Sequence, residues 1–139
     1  MIKFVPGATQ ANIVAIAAAL SPVQSVIAAD TGHINCHEAA SIESTGHKIL
    51  GLPNTDGKLT SRQIAACAAE YYEGDAPEYL TEPKLVYISF PTEQGTLYSK
   101  GELRAISKVC KKYGMYLFVD GARICLLYTS PSPRDRSVS

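Results

Sequence analysis

Short, continuous runs of apolar residues alternate along this chain with longer segments of helical periodicity. The clearest runs occupy residues 25–29, 85–90 and 115–119, and residues 48–50 can form a further short strand. These runs lack the apolar–polar alternation of a strand with one exposed face. Strands that are apolar on both faces are typical of parallel sheets, whose crossover helices cover both sides. The sequence therefore predicts an α/β fold, with a mostly parallel sheet flanked by helices.

The helical segments differ in character. Residues 9–20 are apolar almost all round, which predicts a buried helix, and residues 36–44 have some helical character. Two later segments, Thr60-Ser-Arg-Gln63 and Ser99-Lys-Gly-Glu102, have the pattern of a capping box and should each begin a helix. The apolar stripes of these two helices comprise Ile64, Cys67, Ala68 and Tyr71 in the first and Leu103, Ile106, Val109, Cys110 and Tyr113 in the second.

Charge and hydropathy narrow the class of protein. The chain has 13 basic residues (Lys and Arg) and 13 acidic residues (Asp and Glu), so it carries no net charge. A neutral chain gives no reason to expect nucleic acid or an anionic membrane as a partner. The longest apolar run, residues 13–20, is far shorter than the roughly 20 residues of a membrane span. The first residues do not resemble a signal peptide, and the four cysteines show no disulfide-type spacing. We therefore expect a cytoplasmic protein.

The composition of the last 15 residues differs from that of the rest of the chain. Residues 125–139 form a Pro/Ser-rich string without periodicity, which can be a flexible tail. The segment CLLYTSPSPRD also resembles one translated frame of a sequencing adapter, and we prefer the interpretation that residues 125–139 are a non-native or disordered tail. Residues 1–124 then form the folded part.

One pair of polar residues follows directly after a predicted strand. Asp120 comes at the end of residues 115–119, and Arg123 lies three positions later, after the small residues Gly121 and Ala122. Ligands of open parallel sheets gather beyond the carboxyl ends of the strands, so the two charges can serve the two poles of one small ligand. On spacing alone, the simpler alternative is favoured, in which Asp120 caps the next helix and Arg123 pairs locally.

Two further segments are candidates for binding. The turn Gly7-Ala8-Thr9 enters a helix, where free N–H groups and the helix dipole can bind an anion such as phosphate, or where Thr9 is an ordinary N-cap. His33, Cys36, His37 and Glu38 make zinc conceivable, but the HExxH order is absent and no cysteine pair completes a tetrahedral set. We predict no metal there and expect a helix start with satisfied polar side chains.

Taken together, these segments resemble one family. DTGHINCHEAASIESTGHKILGLPNTDGKLT and LVYISFPTEQGTLYSKGELRAISKVCKKYGMYLFVDGAR are similar to the threonine aldolase/β-eliminating lyase family, over essentially all of residues 3–123. The members of this family are pyridoxal-phosphate (PLP) enzymes of the aspartate-aminotransferase fold type. The resemblance implies that residues 1–124 are part of a PLP-binding large domain with an incomplete sheet.

The resemblance also implies roles for individual residues. Gly7, Ala8 and Thr9 match the phosphate-binding segment, although Ala8 stands where a glycine is common. His33 matches the histidine that stacks on the pyridine ring, and Asp120 matches the carboxylate that faces the pyridine nitrogen and keeps it protonated. Arg123 matches the arginine on the side of the cofactor's phenolic oxygen and of the substrate carboxylate, which makes it a residue for both cofactor and substrate. Glu93 borders the cofactor where better-known aldolases carry a histidine, a candidate base for the substrate hydroxyl.

The implied reaction is the cleavage of a β-hydroxy-α-amino acid, by default threonine, to glycine and an aldehyde. The alternatives are a β-eliminating lyase that acts on an aromatic or thiol-bearing amino acid, and a non-catalytic binding module. None of the lysines occurs in the context of the lysine that attaches PLP covalently, so we expect a truncated fragment that is inactive and poorly soluble alone. The resemblance implies that the intact protein is a homo-oligomer.

Overall fold

A four-stranded parallel sheet forms the centre of the computed structural model, which describes residues 1–125. The strand order is β2-β1-β3-β4, and every paired strand is parallel to its neighbour. The strands are β1 (Gln24–Ala29), β2 (Ile49–Leu52), β3 (Glu82–Ser89) and β4 (Tyr116–Asp120). The helices are α1 (Ala8–Ala19), α2 (His33–Cys36), α3 (Ser61–Tyr72) and α4 (Lys100–Tyr113), with 3₁₀ turns at Glu43–Thr45 and Pro77–Tyr79. The predicted α/β class is confirmed.

Helices cover both faces of the sheet, which explains why the strands are apolar throughout. On one face, α3 and α4 pack on β1 and β3 in a cluster that includes Ile64 and Ile106. On the other face, α1 and the segment after β1 pack on the same strands through Ile16, Ile34 and Ile42. Strands β1 and β3 are therefore buried from both sides, whereas β4 is an edge strand within the described residues.

Both predicted capping boxes are present and begin the two amphipathic helices. The Thr60 hydroxyl accepts a hydrogen bond from the backbone N–H of Gln63, and Ser99 is related to Glu102 in the same way. In each case the third helical residue bonds back to the N–H of the cap. The first free N–H groups of α3 and α4 are thus satisfied locally.

Two expectations about helices were wrong. In α1 only Asn12 and Ile16 are buried, because the helix rests on the sheet with one side and its other side, made largely of alanines, is exposed. Residues 36–44 do not form one helix, because α2 ends at Cys36 and the chain then turns through left-handed conformations at Ala39 and Ala40.

The remaining sequence predictions concern the ends of the chain and the membrane. Almost all of the predicted tail, residues 126–139, lies outside the described residues. No helix among residues 1–125 combines the length and the apolar character that crossing a bilayer requires.

Candidate active site

The predicted site residues converge at the carboxyl ends of the strands. Ala8, His33, Asp120 and Arg123 line one pocket of about 110 Å³, together with Ala122. They come from the beginning of α1, the beginning of α2 and the end of β4, which are far apart in the sequence. The convergence follows from the topology, because parallel strands end at a common edge and the segments that follow them meet there.

Asp120 lies at the tip of β4 with both carboxylate oxygens hydrogen-bonded. Its Oδ2 accepts from the Tyr87 hydroxyl at 2.5 Å and from Asn12 Nδ2 at 3.2 Å. Its Oδ1 accepts from the backbone N–H of Ala122 at 2.9 Å. The last contact is a local bond to the turn after β4, and Asp120 lines the pocket at the same time. Three donors thus fix the orientation of this carboxylate.

Tyr87 supports Asp120 from inside the sheet. It is 1% exposed, and burial, together with the hydrogen bond to Asp120, raises the pKa of its phenol well above the ordinary range. The phenol therefore keeps its proton at any physiological pH and remains a donor to the carboxylate.

His33 begins α2 and is held by a buried carboxylate. Its Nδ1 lies 2.8 Å from Glu38 Oε1, and Glu38 also accepts from Asn12 Nδ2 at 2.7 Å and from Ser41 Oγ at 2.9 Å. A carboxylate oxygen is an acceptor, so this contact places the imidazole proton on Nδ1. The ring orientation of His33 is therefore fixed by Glu38.

Glu93, in the loop after β3, joins the same group of side chains. Its Oε1 accepts from the backbone N–H of His33 at 2.8 Å and from Ser89 Oγ at 2.5 Å. Arg123 Nη1 lies 3.9 Å from the same oxygen, so Arg123 pairs across the site and not with a local partner. Among the residues described, Glu93 Oε2 has no hydrogen-bond partner. One oxygen of Glu93 is thus anchored and the other is available.

The beginning of α1 offers free backbone donors beside the pocket. The first bond of the helical ladder runs from the N–H of Ala11 to the carbonyl of Gly7, so the N–H groups of residues 8–10 have no acceptor within the helix. Gly7 is the N-cap and no side chain caps the helix. The alternative in which Thr9 is an ordinary N-cap was wrong, because α1 begins one residue earlier and Thr9 lies exposed in its first turn.

The histidine–cysteine segment does not gather metal ligands. Cys36 Sγ donates a hydrogen bond to the carbonyl of Asp30, while His33 faces Glu38. Within residues 1–125 no three or more His, Cys, Asp or Glu side chains come close enough together to hold a metal ion.

Sequence reasoning missed the residues behind the pocket. Asn12 lies in a largely apolar helix, where an amide beside alanines and isoleucines is a sign of a buried polar contact. Tyr87 and Ser89 are two positions apart and therefore lie on the same face of β3. Ser89 is paired in register with Asp120 on β4. Their position could be inferred only once the pairing of β3 with β4 was known.

A larger hollow of about 530 Å³ lies elsewhere, between the beginnings of α3 and α4. It is lined by residues 55, 56 and 58–61 and by the first two turns of α4, and it contains none of the residues that line the smaller pocket. We place the candidate site in the smaller pocket because the converging charged and hydrogen-bonded groups lie there.

Comparison with known proteins identifies the fold and the family. The fold is that of the aminotransferases: an aspartate aminotransferase from Rhizobium meliloti superposes with a TM-score of 0.60 at 22% identity, over 82% of this chain and 26% of that one. The model of the beta-eliminating lyase family matches residues 1–126, and the chain belongs to this family.

Two relatives are closer in sequence. The low specificity L-threonine aldolase of Pseudomonas aeruginosa is 37% identical over 124 residues, which are 88% of this chain and 35% of the relative. The threonine aldolase of Leishmania major is 47% identical with a TM-score of 0.82, over 90% of this chain and 35% of that one. The chain thus spans about a third of the length of both.

Proposed function

We propose that this chain is part of the PLP-binding large domain, residues 1–124, of a threonine aldolase that cleaves a β-hydroxy-α-amino acid to glycine and an aldehyde. The observation that carries the proposal is the single pocket in which Ala8, His33, Asp120 and Arg123 meet. Two threonine aldolases with 37% and 47% identity support the choice of reaction. The whole protein would act in the cytoplasm as a homo-oligomer.

The groups around the pocket fit PLP by their chemistry. The free N–H groups of residues 8–10 and the positive end of the α1 dipole suit a phosphate. The Asp120 carboxylate suits a protonated ring nitrogen, and the planar imidazole of His33 suits the face of a pyridine ring. The pocket therefore pairs donors with the anionic end of the cofactor and an acceptor with its cationic ring.

When it is bound, PLP supplies an electron sink for the bond that breaks at Cα of the amino acid. Asp120 would hold the proton on the ring nitrogen, and its three donors fix the orientation of the carboxylate. Arg123 binds the substrate carboxylate through its guanidinium fork, which sets the bond that faces the ring. His33, fixed by Glu38, excludes water from one face of the ring.

Glu93 is the proposed base for the β-hydroxyl of the substrate. Its Oε1 is anchored by His33 and Ser89, which leaves Oε2 to accept a proton. Arg123, 3.9 Å from Oε1, holds both the carboxylate of the substrate and the position of the base. Replacement Glu93→Gln keeps the shape of the side chain but removes the base, so it should lower kcat for threonine cleavage and leave PLP affinity nearly unchanged.

The test begins with PLP binding, measured by visible absorbance and equilibrium dialysis. Asp120→Asn should weaken binding by about a hundredfold, which corresponds to about 2.7 kcal/mol for a lost charge-assisted contact. Asp75→Asn is the matched control, because Asp75 is an exposed carboxylate in the loop after α3. Equal affinity of wild type and Asp120→Asn would refute the assignment of Asp120.

Activity separates the proposed reaction from the alternatives. The whole protein should release glycine and acetaldehyde from threonine. A β-eliminating lyase, which the description of the matching family favours, would release no glycine from aromatic or thiol-bearing amino acids. PLP binding without turnover of any of these substrates would favour a binding module.

A further inference from the structure

Asn12 contacts two residues of the candidate site, although it belongs to no sequence motif and does not line the pocket. It lies on the inner side of α1 and is 2% exposed. Its amide nitrogen lies 2.7 Å from Glu38 Oε1 and 3.2 Å from Asp120 Oδ2. An amide NH₂ has two N–H bonds, so it can donate to both carboxylates at once.

The contact joins the Glu38 and Asp120 carboxylates through a single side chain, whereas the other route between the His33–Glu38 pair and Asp120 runs through Glu93, Ser89 and Tyr87. The remaining donors to Glu38 are His33 and Ser41, and those to Asp120 are Tyr87 and the backbone of Ala122. Among the residues that the structure describes, Asn12 alone donates to both carboxylates.

We propose that Asn12 is a positioning residue, which bridges the His33–Glu38 pair and Asp120 and so sets the angle between the imidazole ring and the carboxylate of Asp120. This inference rests on the proposed function of the site. Glu38 is buried and Asp120 is half-buried, and two neighbouring carboxylates repel each other unless donors lie between them. The Asn12 amide supplies these donors without adding charge, and α1 holds it in place through the buried packing of Ile16 one turn later.

The bridge also connects the two ends of the pocket. Asn12 lies one turn after the free N–H groups of residues 8–10, on the helix whose beginning would hold the phosphate. A movement of α1 would therefore move the phosphate site and the two carboxylates together. A rigid planar cofactor would be held by the phosphate site, by His33 and by Asp120, so these parts would have to be fixed relative to one another.

The test uses the whole protein with PLP and compares two substitutions. Asn12→Leu has a similar volume and no donor, and it should weaken PLP binding by about tenfold or more, because a charged acceptor loses its partner. It should also change the visible circular dichroism of bound PLP, which reports the tilt of the ring. Ser41→Ala is the control, because it removes a donor from Glu38 Oε2 and does not touch Asp120.

The outcomes are distinct. Unchanged PLP affinity and circular dichroism in Asn12→Leu, with only a lower unfolding midpoint, would show a merely structural role and overturn the proposal. Equal losses in Asn12→Leu and Ser41→Ala would also overturn it, because support of Glu38 alone would then explain the effect. If Asn12→Leu does not fold, Asn12→Ser, which keeps one O–H donor, should still weaken binding several-fold, and wild-type affinity would again refute the bridge.

A measurement without PLP separates this inference from the proposed function. Failure of the wild-type protein to bind PLP would refute the function but would leave the bridge open to a double-mutant cycle in cofactor-free protein. Changes in urea midpoint for Asn12→Leu with Asp120→Asn, and for Asn12→Leu with Glu38→Gln, should be non-additive. Additive changes in both cycles would overturn the bridge.

Discussion

Replacement Tyr87→Phe tests whether the support beneath Asp120 contributes to both stability and binding. The substitution removes one hydroxyl and keeps the ring, which packs at 5.8 Å between centroids against Phe118. A hydrogen bond to a charged group contributes about 1.5–3 kcal/mol, and Asp120 keeps Asn12 and Ala122 as donors. We therefore expect a loss at the lower end, about 1.5–2 kcal/mol of unfolding free energy.

Tyr98→Phe provides a matched control on the opposite face of the sheet. Tyr98 is 5% exposed, and its hydroxyl accepts a hydrogen bond from the buried backbone N–H of Leu59. Its loss leaves that N–H without a partner and should cost about 1–3 kcal/mol. The two variants should thus be destabilised to a similar degree, as measured by urea unfolding at pH 7.

Binding of PLP distinguishes the two variants. Tyr87→Phe should weaken PLP several-fold, because Asp120 loses its shortest donor contact, whereas Tyr98→Phe should leave the affinity unchanged. A Tyr87→Phe protein within about 0.5 kcal/mol of wild type in stability and with wild-type affinity would refute the reasoning. Equal loss of affinity in both variants would attribute the effect to general destabilisation.

Three further changes test the fold. Burial raises the pKa of the Cys110 thiol from 9.0 to about 11. The buried protonated thiol therefore contributes fully to stability below pH 9, and this contribution is lost as the pH rises through about 11. Urea titrations across that range should show this decline in the wild type and not in Cys110→Ala. Gly57 has a φ of +79°, and Gly57→Ala would place a Cβ 2.8 Å from Thr92 Oγ1, so it should lower the unfolding free energy by about 2–4 kcal/mol. Gly46→Ala is the control, because Gly46 has a φ of +86° but open space around it, and it should cost about 1 kcal/mol. Thermal unfolding measures both. Ser99→Ala removes the capping box of α4 and should cost about 1 kcal/mol by the same assay; no change would contradict the role of the cap.

The sequence was informative where local chemistry decides the structure. The capping boxes at Thr60 and Ser99 predicted the starts of α3 and α4, because the hydroxyl and the third residue bond within one turn. The apolar runs predicted a parallel sheet, because strands covered on both faces need no polar positions. Asp120 was found as a candidate because a strand end faces the ligand edge of such a sheet.

Other features depend on how α1 lies over the sheet and could not be read from local patterns. The apolar character of residues 9–20 indicated burial, but alanine is small enough to tolerate exposure, and only one side of the helix packs. The contacts of Asn12 with Glu38 and Asp120 span 26 and 108 residues, so no spacing rule relates them. The beginning of α1 was also not predictable from local patterns, because the N-cap is Gly7, which has no side chain to form a cap, and not Thr9.

The charged and polar groups around the pocket differ between its two ends. The chain as a whole is neutral, yet Glu38, Glu93 and Asp120 gather at one edge of the sheet, with Arg123 as the nearby cation. Backbone donors lie at the beginning of α1 and the Asp120 carboxylate lies at the tip of β4, so the proposed ligand, with an anionic end and a cationic ring, would be favoured in one orientation. Reversal would place phosphate against Asp120 and a positive ring against the positive end of α1, and both contacts would be repulsive. The polarity of the pocket thus selects the orientation that the proposed chemistry requires.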